Sequence, residues 1–359
     1  MPFRGKVLVA MSGGVDSSVA AWLLKQQGYA CIGATMRLYE NEMVGSCRSN
    51  TCCSLEDVED ARSVARRIGI PYYVFNFTDD FEQQVIRRFA QAYEQGRTPN
   101  PCIDCNRYLK FQRLYRRARE LGCDYIATGH YARVVRDPAS DRWLLKKALD
   151  GNKDQSYVLY DMSQEQLSHT LLPLGELTKQ SVRTIAEEQG FLNAKKHDSQ
   201  DICFVPDGDY AAFLERYTGR QYPPGDFLDS TGQKIGTHQG IIHYTIGQRK
   251  GLGISAERPL YVRNIDPEHN TVTLGGNEEL FSADLEAGEL NLISVPELEA
   301  PMRVTARVRY HQVEQPALLT QTGPDTASLT FDAPQRAITP GQAVVFYDGD
   351  TVVGGGVIR

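Results

Sequence analysis

Short continuous apolar runs separated by amphipathic stretches fill the first third of the chain. The runs over 6–10, 31–36, 72–77 and 125–128 are too brief for helices, and their continuity predicts strands buried on both faces. Helical spacing predicts helices over 17–27, 55–68, 79–95 and 110–121, the second capped by Ser54 and stopped by Gly69. Strands and helices alternating at this length predict an α/β domain, a parallel sheet with helices on both faces. Ligands of such sheets bind beyond the carboxyl ends of the strands. The loops after Ala10 and Met36 and the segment Thr128-Gly129-His130 are therefore expected around one nucleotide pocket.

Farther on the texture changes. A hairpin is predicted over 131–147, turning at Asp137-Pro138-Ala139-Ser140-Asp141, and helices over 164–170 and 178–189. Beyond Cys203 one more helix is expected over 210–217; from 225 to 274 short strands and turns take over. From about Leu285 the pattern is strand-like to the end, with Asp348-Gly349-Asp350 as a late turn. The expected architecture is an α/β domain over 1–205, a small β-rich central domain over 206–278 and a C-terminal β-barrel over 279–359.

Length agrees with that division, since 359 residues exceed one ordinary core. No apolar run approaches the eighteen residues of a membrane span, and the first residues lead straight into a strand without a signal peptide, so a cytoplasmic protein is expected. A net charge of −6 argues against a chain that coats nucleic acid nonspecifically, though an enzyme needs only one basic docking face. The eight cysteines then read as thiols for chemistry or metal rather than as a disulfide framework.

The most informative stretch is Ser12-Gly13-Gly14-Val15-Asp16-Ser17-Ser18, between the first strand and the first helix. Strand, glycine loop and helix present backbone N–H groups and a positive helix end to an anion. The lysine of a γ-phosphate-transferring P-loop is missing. The motif instead resembles the PP-loop of ATP pyrophosphatases. Two cysteine stretches follow. Asn100-Pro101-Cys102-Ile103-Asp104-Cys105 opens an element whose helical N-terminus would favour thiolates, and Cys203 stands alone in Ser199-Gln200-Asp201-Ile202-Cys203-Phe204.

Together with Ala127 to Arg133, Lys153-Asp154-Gln155-Ser156-Tyr157, Gly236 to Gly240 and Tyr244 to Gly253, these motifs make the chain similar to the MnmA family of tRNA-specific 2-thiouridylases. The resemblance implies that ATP adenylates O2 of the wobble uridine in the tRNAs for Lys, Glu and Gln, that a cysteine persulfide delivers sulfur to C2, and that AMP leaves. It places the persulfide on Cys203 and a sulfur-releasing thiol on Cys105. It assigns ATP to Ala10, Met11, Ser12, Gly13, Gly14, Val15, Asp16, Ser17, Met36 and Gly129. It assigns tRNA to His130, Lys153, Asp154, Gln155, Arg309, Tyr310 and Gln342. Magnesium is expected with the ATP, with Asp16 as the nearest ligand, and a cysteine desulfurase or a sulfur-relay protein is expected as donor.

One position departs from the family. Where its members carry an Asp after Asn-Pro, this chain has Cys102, so the acid–base role there passes to no obvious residue; Asp104 and Asp201 are substitutes by proximity alone. The change also creates the set Cys102, Cys105 and Cys203, which could hold a [4Fe–4S] cluster by three thiolates with one iron open. A structural zinc site completed by Cys47, Cys52 or Cys53 is the plainer reading of Cys-x-x-Cys, while Cys31 and Cys123 read as core residues. Arg303, Arg307 and Arg309 alternate with apolar residues and predict one basic strand face for RNA, or else an ordinary solvated one; Arg116, Arg117, Arg119, Lys195 and Lys196 are further basic clusters. Two other classes fit parts of the pattern: a PP-loop ligase or amidotransferase acting on a small molecule, and a non-enzymatic iron–sulfur RNA-binding protein.

Overall fold

Five β-strands carry the N-terminal half: β1 (Lys6–Ala10), β2 (Ala30–Arg37), β3 (Tyr72–Asn76), β4 (Tyr125–Ala127) and a short last one at Thr170–Leu171. The computed structural model describes residues 4–39, 55–196, 202–205 and 207–359; Cys47, Cys52, Cys53, Ser54 and Asp201 lie outside them. All pairings in this sheet are parallel, and its order is β3-β2-β1-β4 followed by Thr170–Leu171. The chain leaves β1 toward β2 on one side and later returns to β4 on the other. The carboxyl ends of β1 and β4 therefore flank the crevice where such a sheet takes its ligand.

Helix α1 (Val15–Gln26) covers one face, and α2 (Leu55–Ile68) lies beside it, burying Ala61, Val64, Ala65 and Ile68. Small residues Ala20 and Ala21 let α1 pack closely on β1. A helical run over 78–94 covers the other face, with Phe81, Phe89 and Tyr93 turned inward. The next helical run, 101–120, begins nine residues earlier than its apolar spacing suggests. Pro101 stands in its first turn, and the Asn100 side chain accepts from the Cys102 N–H, so the Cys-x-x-Cys pair opens the helix. From Cys105 to Leu114 this run is π-helical, a distortion that clusters at functional sites.

The expected hairpin forms as β5 (Ala132–Arg136) and β6 (Trp143–Lys147), but it does not stay with the parallel sheet. Thr351 pairs with Lys146, and the Lys147 N–H donates to the Asp350 carbonyl at 2.8 Å, so the hairpin extends the C-terminal sheet. That sheet runs Phe281–Leu292, Thr326–Arg336, Gln315–Gly323, Met302–Arg307, Ala343–Asp348 and Thr351–Ile358, and closes when Ala287 pairs with Ile358. Closure removes the edges and yields a barrel filled by Val304, Leu319, Leu329, Phe331 and Phe346. Between the halves stands a four-stranded sheet, Tyr261–Asp266, Thr271–Gly275, Gly225–Leu228 and Lys234–His238. Cys31 and Cys123 are buried, the first with its thiol pushed up to about 11 by desolvation, as expected of core residues.

Candidate functional site

The loop after β1 owes its shape to Gly13. Its φ of +78° lies in the left-handed region, and a Cβ there would sit 2.4 Å from the Asp57 carbonyl oxygen. The N-cap of α1 is Gly14, so no side chain caps the helix and its first turn presents backbone donors. Ser17 and Ser18 hydroxyls both donate back to the Gly14 carbonyl at 3.0 Å, which fixes the loop, and Ser17 also accepts from the Ser12 N–H. The segment after β4 closes in from the other side of the crevice: a Cβ on Gly129 would lie 2.7 Å from the Ser17 nitrogen. Ala10 and Met11 end β1, and Met11 is locked by its N–H to the Ala34 carbonyl and by the Thr35 hydroxyl on its own carbonyl. Met36, near the end of β2, is half-buried beside the core. The segments expected to bind ATP are thus neighbours at one edge of the sheet.

Two partners hold Asp16. Both its oxygens accept from the Lys179 ammonium at 2.8 Å, and the Tyr131 hydroxyl donates to one of them at 2.7 Å. Asn193 donates to the Gly13 carbonyl at 2.8 Å and to the Ser18 hydroxyl at 2.9 Å. Lys196 bridges Asp57 and Asp60 of α2 at 2.7 and 2.6 Å. Three residues between 179 and 196 therefore brace the loop and the helix packed against it. Sequence reading missed Lys179 and Asn193, which belong to no motif, and saw Lys196 only as part of a basic cluster.

His130 is buried between the Thr128 hydroxyl at 2.7 Å from Nδ1 and the Lys110 ammonium at 3.5 Å from Nε2. Desolvation, then the Lys110 charge, holds its pKa well below the ordinary value. Asp154 is buried too: it accepts from the Ala148 and Ser156 N–H groups and the Ser156 hydroxyl, and faces Arg307 at 3.6 Å. Gln155 exchanges hydrogen bonds with the Tyr131 backbone. Lys153 beside them is half-buried. The Tyr310 hydroxyl donates to the Asp154 carbonyl at 3.3 Å. Burial first, then Asp154 and the Cys102 thiol, raises the Tyr310 pKa. A chain of hydrogen-bonded neighbours therefore leads from Asp16 through Tyr131 and the 154–155 peptide to Tyr310.

Cys203 is held near the same edge. The Tyr39 hydroxyl, two residues beyond β2, donates to the Cys203 carbonyl at 3.0 Å. Phe204 anchors the segment edge-on against Phe81 and Phe89. Ile202 next to Cys203 and Asn100-Pro101 next to Cys102 line one open cleft of about 750 Å³, completed by His243, Gln248 and Gln342. Cys102, Cys105 and Cys203 do not form the expected cluster site: among the described residues no three His, Cys, Asp or Glu gather to hold a metal ion. The reason lies in the helix that carries two of them, where Cys102 is exposed and Cys105 is buried in the core. Asp104 between them faces Arg88 at 3.5 Å, and burial outweighs that partner, pushing its pKa up to about 6.

The basic strand face dissolves on inspection. Val304, Ala306 and Val308 do point inward. Arg303, however, pairs with both oxygens of Asp332 at 2.8 and 2.6 Å, and Arg307 pairs with Glu314 at 2.8 Å as well as with Asp154. Arg309 donates to the Ile246 and Ala337 carbonyls and the Thr339 hydroxyl, tying the central sheet to the barrel. Gln342 donates to the Thr98 carbonyl at 2.7 Å and fastens the Asn-Pro-Cys loop to the barrel. Alternation along the strand cannot reveal such partners, because they come from distant segments.

A parallel sheet with a glycine loop at its crossing point, no P-loop lysine and a closed barrel behind it defines the class, a PP-loop protein with appended β domains. The match to known families is specific. Residues 5–207 match the model described as tRNA methyl transferase HUP domain, 211–276 the tRNA methyl transferase PRC-barrel domain, and 282–358 the Aminomethyltransferase beta-barrel domain. A tRNA-specific 2-thiouridylase MnmA of Clostridioides difficile is 52% identical over 99% of this chain and 98% of its own length. Its counterpart in Acetivibrio thermocellus is 53% identical over 99% of each. The chain belongs to the MnmA family of tRNA-specific 2-thiouridylases.

Proposed function

We propose that this protein is a tRNA-uridine 2-sulfurtransferase that spends ATP to replace the 2-oxygen of the wobble uridine, in tRNAs for Lys, Glu and Gln, with sulfur. The observation that carries this reading is the uncapped first turn of α1 behind Gly13, at the crevice between β1 and β4. Such a turn holds a polyphosphate by backbone donors and helix dipole. The uridine O2 attacks the α-phosphorus, pyrophosphate departs, and O2 becomes a phosphate ester able to leave. The terminal sulfur of a Cys203 persulfide then bonds to C2, and AMP departs with the former O2. Attack of the Cys105 thiolate on the Cys203 sulfur breaks the S–S bond, frees the 2-thiocarbonyl and leaves a Cys105–Cys203 disulfide for a thiol reductant.

A persulfide route asks nothing of Cys102, whereas a [4Fe–4S] cluster needs it together with Cys105 and Cys203; Cys102 is exposed, Cys105 is buried, and no metal-holding group forms among the described residues. The magnesium that accompanies ATP would offset phosphate charge at the nucleotide loop; Asp16, the carboxylate of that loop, is held by Lys179 and Tyr131. A cysteine desulfurase or a sulfur-relay protein would load Cys203 from outside. Purified enzyme given tRNA, ATP and a persulfide source is expected to yield AMP and 2-thiouridine together, read by mass spectrometry. Cys203→Ser is expected to keep AMP formation and lose the thiolated product; thiolation surviving in that variant overturns the assignment.

A further inference from the structure

Asp16 poses an electrostatic problem at the nucleotide loop. It sits in the first turn of α1, where the helix end and its donors would receive a polyphosphate. A bare carboxylate there repels that ligand, because two negative charges a few ångströms apart at a partly buried site are only partly screened. The loop therefore needs a compensating charge.

We propose that Lys179 is that charge: a positioning residue for ATP, which neutralises Asp16 and holds its carboxylate aside so that the N-terminus of α1 accepts phosphate. Four observations carry it. The Lys179 ammonium meets both Asp16 oxygens at 2.8 Å, the two-point contact that holds a carboxylate in one orientation. Its side chain is only 11% exposed, against 30% for Asp16, so water reaches the pair mainly from the Asp16 side. Its position is built in from outside the nucleotide loop, because the Lys179 N–H donates to Asp150 at the start of Lys179–Glu188, capped by Thr178. The Tyr131 hydroxyl completes the grip on Asp16 from the segment that follows Gly129, so two separate parts of the chain fix one side chain. A surface ion pair would need none of this construction.

The proposal rests on the nucleotide reading above, and its test separates the two. ATP binding is measured by calorimetry, with and without magnesium, on full-length protein whose folding is checked by thermal melting. Wild type that fails to bind ATP in either condition sinks the nucleotide reading itself. If wild type binds, Lys179→Met is expected to weaken ATP at least about tenfold in both conditions, by exposing phosphate to an unpaired Asp16. Lys179→Arg, which keeps the charge, is expected to stay within about threefold. Asp16→Asn added to Lys179→Met is expected to recover most of the loss, since the repelling charge is gone. That recovery is an affinity readout which loss of packing at Lys179 would not produce. An Lys179→Met protein that binds ATP like wild type, or a double variant no better than the single one, overturns the proposal. If Lys179→Met does not fold, the double variant carries the test alone, and binding more than about tenfold weaker than wild type overturns it.

Discussion

Two ends of this molecule were written in polar residues, and the fold treats them in opposite ways. At the carboxyl edge of the parallel sheet, Gly13 and Gly14 leave the first turn of α1 without a side-chain cap. On the barrel, three arginines that look just as available all find partners in the fold, Arg303 in an exposed pair with Asp332, Arg307 with Glu314 and Asp154, and Arg309 with two carbonyls and a hydroxyl. Backbone donors at a helix start are left over by the geometry of the helix itself, so a local motif is enough to reveal them. A side-chain charge is left over only if no distant segment supplies a partner. A ligand site made of backbone is therefore legible in a sequence, whereas one made of charges is legible only in a fold.

The strongest way to break this comparison is Gly13→Ala. A left-handed φ costs an L-residue about 1–2 kcal/mol, and the added Cβ would collide with the Asp57 backbone 2.4 Å away, which cannot swing aside like a side chain. We expect ATP binding to fall by more than about a hundredfold. A Gly13→Ala protein that binds ATP normally would mean that the cradle is not where the phosphates sit.

Arg307→Ala comes next. Its guanidinium and its partners Asp154 and Glu314 are all shielded, with side chains 17%, 2% and 16% exposed. Lys147 still reaches Glu314 at 2.6 Å, which limits the damage. The expected loss is about 2–3 kcal/mol of stability in urea melts, with the salt dependence of tRNA binding unchanged. A flattened salt slope with full stability would restore the RNA-contact reading. Because Asp154 belongs to the 154–155 peptide that leads toward Tyr131, the variant also tests whether the barrel steadies the nucleotide edge.

The same contrast explains what the sequence made plain. The parallel order, the hairpin and the closed barrel follow from runs of apolar residues at periods of one, two and 3.6, which packing enforces without help from afar. The start of the helix at Pro101 was hidden because its first turn is polar and proline-bounded, features shared by a loop. The docking of the hairpin onto the barrel was hidden because its links, Thr351 paired with Lys146 and the Lys147 N–H on the Asp350 carbonyl, join residues more than two hundred apart in the chain. In the site, Gly13, Gly129 and the cysteine motifs announced themselves, while Lys179 and Asn193 could not: an ordinary lysine starting a helix and an asparagine in a turn carry no signature of what they touch.

Asp104 is the intermediate case, a charge only half committed, and it gives the smallest and finest test. Its carboxyl is buried beside Cys105, and Arg88 at 3.5 Å compensates incompletely, so the folded pKa rises to about 6 against about 4 for an unfolded aspartate. Between those values the folded protein keeps a proton that the unfolded chain has lost. Stability from this group is therefore present below about pH 4 and is withdrawn as pH rises through about 6. Asp104→Asn removes the titration, so the variant should gain on wild type by about 1–2 kcal/mol between pH 4.5 and 7.5 in urea melts, with a smaller gain of the same sign from Asp161, whose pKa the Asp104 charge helps to raise. An equal difference at both pH values would show that Arg88 compensates Asp104 fully, which would move this residue to the side of the committed barrel arginines. A difference of the expected sign leaves a carboxyl that exchanges its proton near pH 6 two residues along the chain from Cys102, where the family's aspartate is missing.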